Sequence, residues 1–185
     1  MYETAELNLD LAGPTKQDRH CATGEKHVLF RLGEELFCLP AKNVRGVMGF
    51  GSLIPAADSN FLLIGFVFCQ AKALPVFDLR PPLGLPATAL CGKEEVLVLS
   101  HSSDARFRLG VLVESLENAR EIHADSIQRI SHNRIPQQFL RGMALCDAKK
   151  VLMLDLDFVI SPAALRRLYT VAEVGKDCSL TLADQ

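Results

Sequence analysis

A chain of 185 residues, 49% hydrophobic and 23% charged, is long enough to bury a real core and too apolar for wholesale disorder. It reads as one compact domain or two small, closely packed units, and its formal net charge of −2 gives no general reason to bind nucleic acid or an anionic membrane. No apolar run approaches the ~20 residues a membrane helix needs, and the opening MYETAELNLD lacks the basic and apolar regions of a signal peptide, so a cytoplasmic protein is expected.

Residues 1–25 are polar, broken by Gly13-Pro14 and Gly24, and read as a flexible arm. HVLFRL and ELFCLP then flank Gly33-Glu34, short apolar runs around a turn that predict a β-hairpin. Val44 to Phe50 is a weaker apolar stretch, followed by a Gly-Ser turn and Ile54-Pro55. FLLIGFVFC and ALPVFDL predict two more strands, separated by Gln70-Ala71-Lys72. Residues 81–93, with their prolines and glycines, form a connector. EEVLVLS and RFRLGVLVES supply another strand pair around the polar loop His101-Ser102-Ser103-Asp104, residues 117–138 carry no clear period, and MALC with KVLMLDL gives a last pair. Ser161-Pro162 is a helix-start signal, so residues 162–185 are expected to hold a C-terminal helix and tail. The sum is a mainly-β protein with one late helix.

Two internal matches share one offset. Phe30-Arg31-Leu32-Gly33 recurs 77 residues on as Phe107-Arg108-Leu109-Gly110. At the same offset GFVFCQAKALPVFDL (65–79) meets GMALCDAKKVLMLDL (142–156) with six identities in fifteen. The pattern predicts two similar β units of about 75 residues each, as a pair of small barrels or sandwiches sharing an interface. Gly65 then corresponds to Gly142 and Asp78 to Asp155, and all four are expected to be structural turn residues.

The inventory for chemistry is thin. The sequence has no G-x-S-x-G, no H-E-x-x-H, no Walker A lysine and no G-x-G-x-x-G. The six cysteines are widely spaced with no C-x-x-C pair, and Cys38, Cys69 and Cys146 sit in apolar segments, which suits buried, inert thiols. No metal or other cofactor is expected. Ser100-His101-Ser102-Ser103-Asp104 holds the letters of a catalytic triad, but neighbours in one loop rarely converge on a common atom. Asp155-Leu156-Asp157 offers two carboxylates without a third ligand, a weak magnesium signal. A protein-interaction module fits this balance better than its rivals. Those rivals are a cysteine- or metal-dependent enzyme using Cys69, Cys146 and nearby histidines, and a nucleic-acid-binding barrel, for which two tyrosines and no tryptophan are poor equipment.

The residues also resemble a known family, the CheW-like domain. The resemblance runs through Phe30-Arg31-Leu32-Gly33, Leu36, Pro40, Val44, Val47 and Ile54-Pro55. It is strongest at Gly65 with Leu74-Pro75-Val76-Phe77-Asp78-Leu79-Arg80, and it resumes at Gly110-Val111-Leu112-Val113, Arg141-Gly142-Met143 and Val151 to Leu156. It covers residues 26–161 as the domain. The resemblance implies two SH3-like five-stranded β-barrel subdomains packed around a hydrophobic core. It also implies a non-enzymatic adaptor in bacterial chemotaxis or a related chemosensory pathway, such as pilus motility. The implied partners are the regulatory domain of a CheA-type histidine kinase and the cytoplasmic tip of a chemoreceptor, with Val44, Val47, Phe68 and Gln70 as partner-binding candidates. The sequence departs from the family where Asn-Leu-Arg-Gly is replaced by Phe68-Cys69-Gln70-Ala71, so that glutamine stands in place of a multidentate guanidinium. A divergent member is implied, one whose sensor contact has changed.

Overall fold

The computed structural model describes residues 24–56, 62–69, 72–87, 89–100, 107–129, 134–161 and 163. The strands are β1 (Glu25–Leu32), β2 (Glu35–Pro40), β3 (Val44–Gly49), β4 (Ile54–Pro55), β5 (Leu63–Cys69) and β6 (Lys72–Phe77). They continue as β7 (Glu95–Ser100), β8 (Arg108–Val113), β9 (Ser115–Ile122), β10 (Leu140–Cys146) and β11 (Lys149–Leu154), and a single helical turn α1 (Leu156–Val159) follows. The arm boundary moves slightly, because Glu25 is already paired with Ile122 in β1–β9. The helix expected beyond Pro162 lies outside the described residues, apart from Ala163.

These strands build two sheets, one in the order β10-β11-β2-β1-β9 and one in the order β3-β7-β8-β6-β5-β4. Within them, neighbours run antiparallel except β11 with β2 and β6 with β8, which are parallel. The first sheet takes strands from both ends of the chain and the second takes the middle. The two consecutive units expected from the 77-residue offset are therefore not the two sheets. The five-stranded sheet is completed by hairpin β10–β11 from later in the chain, whereas the six-stranded sheet is built from the consecutive strands β3 to β8.

Both sheets are rolled. In the six-stranded sheet the edge strands β3 and β4 are joined by residues 50–53 alone, partly wound as a 3-10 turn. That linker cannot span the roughly 24 Å width of a flat six-stranded sheet. In the five-stranded sheet the chain beyond β9 returns to the opposite edge, where Gln128 and Met143 exchange backbone hydrogen bonds of 2.8 and 3.0 Å.

Rolling leaves strands such as β2 and β7 with two buried faces, which explains their near-continuous apolar runs. In β2, Phe37 and Leu39 face a central core while Leu36 and Cys38 face the interior of the five-stranded barrel. In β7, Leu97 and Leu99 face the same central core and Val96 and Val98 face the interior of the other barrel. The central core is thus the seam between barrels, and Leu79, Leu83, Ile135, Leu156 and Ile160 plug it from the connectors.

The two sequence matches fare differently. Hairpins β5–β6 and β10–β11 share their pairing, Gly65 opposite Val76 and Gly142 opposite Met153, each with a register shift just before the glycine. The strand exits match as well: Asp78 N–H donates to the Leu62 carbonyl and Asp155 N–H to that of Phe139, both at 2.8 Å. Phe30 to Gly33, however, closes β1 and enters a turn with Gly33 at φ 60°, whereas Phe107 to Gly110 leads into β8 and Gly110 pairs with Val98. That four-residue recurrence marks no equivalent place.

Gly65 and Gly142 are also not turn residues. Both lie inside strands, and the reason for glycine is space. A Cβ on Gly65 would meet the backbone carbonyl of Ile54 on the paired strand β4, and one on Gly142 would meet the Ile127 side chain.

Candidate functional site

Asp78 and Arg80 stand where β6 leaves its sheet. The Asp78 carboxylate accepts from the Arg80 backbone N–H at 3.0 Å, which makes a tight turn. It also receives the Arg80 guanidinium as a fork, Nε at 3.0 Å from Oδ1 and Nη2 at 2.8 Å from Oδ2. Arg80 is only 2% exposed, and its Nη1 donates to Glu114 Oε1 at 3.3 Å. Glu114 is the residue between β8 and β9, where the chain crosses from one sheet to the other, and its N–H donates to the Arg31 carbonyl at 3.1 Å. The set is therefore a staple across the inter-barrel seam. Hydrogen bonding to Asp78, the largest effect, raises the Arg80 pKa still further, so the cation is permanent.

Asp155, the counterpart of Asp78, caps α1 by accepting from Phe158 N–H at 3.4 Å. Arg141 Nε lies 3.3 Å from Asp155 and its Nη2 3.5 Å from Asp157. The carboxylate pair that resembled a metal motif therefore faces an arginine. Among the described residues no group of three or more His, Cys, Asp and Glu is placed to hold a metal ion.

Other polar candidates have structural partners. Ser100 is buried, its Oγ receiving Arg45 Nε at 3.1 Å, while the loop that follows it lies outside the described residues. Glu94, which the sequence reads only as the polar start of a strand, lies just before β7, and its carboxylate accepts from the Cys91 and Gly92 backbone N–H groups at 2.7 and 2.8 Å. Those bonds, that from Cys91 foremost, hold its pKa near 2, against an ordinary 4.5. A depressed carboxylate contributes stability above its unfolded pKa and loses it as pH falls through the folded value. Acid titration is thus expected to remove this contribution between pH ~4.5 and ~2. Glu94→Ala should cost about 2 kcal/mol at pH 7 and flatten the melting curve over that acid range.

The cysteines divide by burial. Cys38 lies inside the five-stranded barrel, where burial pushes its thiol up to about 12, while Cys91 is exposed. Thiol labelling of the folded protein at pH 8 should modify Cys91 well before Cys38, which stays unmodified until unfolding. Fast labelling of Cys38 would contradict its placement. The Cys69 side chain lies outside the described residues.

What stands out to solvent is apolar. Phe68, near the end of β5, is 55% exposed, and Ile54 of β4 is 52% exposed. Ile54 pairs with Phe66, which shares the Phe68 face of β5, so these side chains form one surface patch at the sheet edge. Val44 and Val47, the other candidates, lie on β3 and pack half-buried against the central core. They sit at the opposite end of that sheet's strand order, and Gln70 lies outside the described residues. Ile54 was read from sequence as part of the family pattern and not as a binding candidate; its place in the two-residue edge strand β4 leaves it uncovered.

Comparison with known proteins places this geometry. The family model of the CheW-like domain matches residues 26–163. A probable chemotaxis protein CheW of Rhizobium etli is 23% identical over 137 residues, covering 72% of this chain and 86% of that protein. A chemotaxis protein CheW of Rhizobium meliloti is 22% identical over 148 residues, covering 78% and 94%. The crystal structure of the scaffolding protein TtCheW from Thermoanaerobacter tengcongensis superposes with a TM-score of 0.67 at 21% identity, over 81% of this chain and 96% of that one. A domain model that spans most of the chain, on a matching two-sheet fold, shows that this protein belongs to the CheW-like domain family.

Proposed function

We propose that this protein is a non-enzymatic coupling adaptor in bacterial chemotaxis or a related chemosensory pathway. It holds the regulatory domain of a CheA-type histidine kinase and, through a second surface, the cytoplasmic tip of a chemoreceptor. The observation that carries the reading is the Ile54–Phe68 patch, an aromatic and an aliphatic side chain left exposed on a rolled-sheet edge. Exposed apolar side chains grouped on a polar surface suit docking of a partner. The buried Asp78 and Arg80 face one another as an ionic fork instead of an open cleft.

The receptor contact is where this chain has diverged. Gln70 replaces the family arginine, so a sensor that relied on a guanidinium finds an uncharged side chain. We assign kinase binding to the apolar patch with Phe68, and Val44 and Val47 to the seam that supports it. Calorimetric titration with the cognate kinase regulatory domain tests this. Phe68→Asp should weaken binding at least about tenfold, since hot-spot truncations cost ~2 kcal/mol or more, with an unchanged melting temperature. Equal affinity in parent and variant would remove Phe68 from the interface.

A further inference from the structure

Three glycines have no reason inside the fold. Gly46 and Gly49 lie in β3 and Gly51 in the turn after it, none has a positive φ, and a Cβ on any of them would meet nothing within 4 Å. Each of the other described glycines either takes a positive φ or sits where a Cβ would strike a neighbour. Glycine inside a strand weakens it, and its use there marks a place where another backbone approaches closely. Here the space for that approach lies outside the molecule.

Strand β3 is also an open edge. It ends the strand order of its sheet and, among the described residues, pairs with β7 alone. An edge strand of this kind is ordinarily guarded by charge, as β9 is by Glu117, Arg120 and Glu121. From Val44 to Leu53 the sequence carries one charge, Arg45. The register of β3 on β7 shifts between Val44 and Gly46, which leaves Arg45 as the extra residue of a bulge. A bulge re-aims the side chain it carries. That of Arg45 is exposed, yet its Nε donates to the Oγ of buried Ser100 at 3.1 Å, and Ser100 in turn donates to the Asn43 carbonyl at 3.4 Å. The guanidinium is thus held in place by one nitrogen, while its Nη groups make no ion pair among the described residues. A planar fork fixed in this way suits a carboxylate supplied from outside.

We propose that β3 is a docking strand for another protein, whose extended, acidic segment adds along the open edge with its backbone close to the glycines and a carboxylate on the Arg45 fork. A second copy of this chain is the poorer occupant, because its own β3 brings the same cation and no acid. NMR titration of the 15N-labelled full-length protein with the peptide Thr-Val-Glu-Val-Thr-Val-Glu-Val tests this, beside a counterpart in which lysine replaces glutamate. The acidic peptide should shift the amide resonances of Val44–Gly49 saturably, and the lysine peptide should bind about tenfold more weakly. Arg45→Glu should reverse that preference. Gly46→Val adds a strand-favouring side chain in open space, so the melting temperature should hold or rise while peptide binding falls about tenfold. Phe68→Asp, which tests kinase docking, should leave peptide binding unchanged, so this proposal and the adaptor reading fail separately. The proposal is overturned by an absence of saturable shifts on β3, by equal affinity for the two peptides, or by unchanged binding in Arg45→Glu. A fall in melting temperature for Gly46→Val would give that glycine an internal role and overturn it too. So would β3 resonances that shift with protein concentration alone, which would make a second copy the occupant.

Discussion

Arg80→Ala is expected to destabilise the protein by about 3–5 kcal/mol, lowering its melting temperature by roughly 10 °C. The cost arises less from the lost attraction than from what remains. Asp78 is only 8% exposed, and without the guanidinium its carboxylate keeps one turn N–H and loses the fork that balanced its charge. Glu114 suffers less, because its side chain is 30% exposed and can turn to water. A graded series follows. Asp78→Asn preserves an acceptor for the Arg80 N–H and should cost less than Asp78→Ala. Asp78→Leu combined with Arg80→Met replaces the pair by apolar volume and should return to within about 2 kcal/mol of the parent. Chemical denaturation of the four variants decides it. A loss below about 1 kcal/mol for Arg80→Ala would show that the fork is not the seam's staple.

Gly65→Ala should cost about 2–3 kcal/mol, and Gly142→Ala about 1 kcal/mol, although the two glycines occupy matching places in matching hairpins. The difference lies in what each new methyl group meets. At Gly65 it is the Ile54 backbone carbonyl, which moves only if β4 moves. At Gly142 it is the Cγ2 methyl of Ile127, a side-chain group that a χ1 change can move, with the Gln128 carbonyl at 3.2 Å. Displacing β4 also shifts Ile54, so Gly65→Ala should weaken kinase binding as well as stability, while Gly142→Ala leaves binding intact. Equal costs at both sites would mean that the packing of β4 beside β5 is looser than its geometry implies.

The hairpins were legible because each strand carries its own signal: short apolar runs around Gly33-Glu34 or Gln70-Ala71-Lys72. Sheet assembly was not, since a strand buried on both faces shows no sidedness and nothing local says that β11 pairs parallel with β2. The same limit explains the two offset matches. The 65–79 match reflects a hairpin and crossing segment that recur in three dimensions, whereas the Phe30 match reflects only similar strand composition. Strand β9 was missed for a different reason. As an edge strand it keeps charged residues such as Glu117, Arg120 and Glu121, which protect the edge and erase the apolar alternation. At the candidate site, Asp78 could be read as a turn former from its place after an apolar run. Its link through Arg80 to Glu114 joins residues 34 apart and depends on the crossover between sheets. Phe68 was marked by departure from family pattern, while Ile54 joined it only once β4 was seen to lie beside β5.

The central claim is coupling by contact, and its stoichiometry is the direct measure. The measurement is autophosphorylation of the cognate CheA-type kinase in the presence of its receptor tip, titrated with this protein. The adaptor account predicts a change in kinase activity that saturates near one copy of this chain per kinase regulatory domain and is reduced by Phe68→Asp. An unchanged kinase, or a full effect from a small catalytic fraction of the protein, would contradict it.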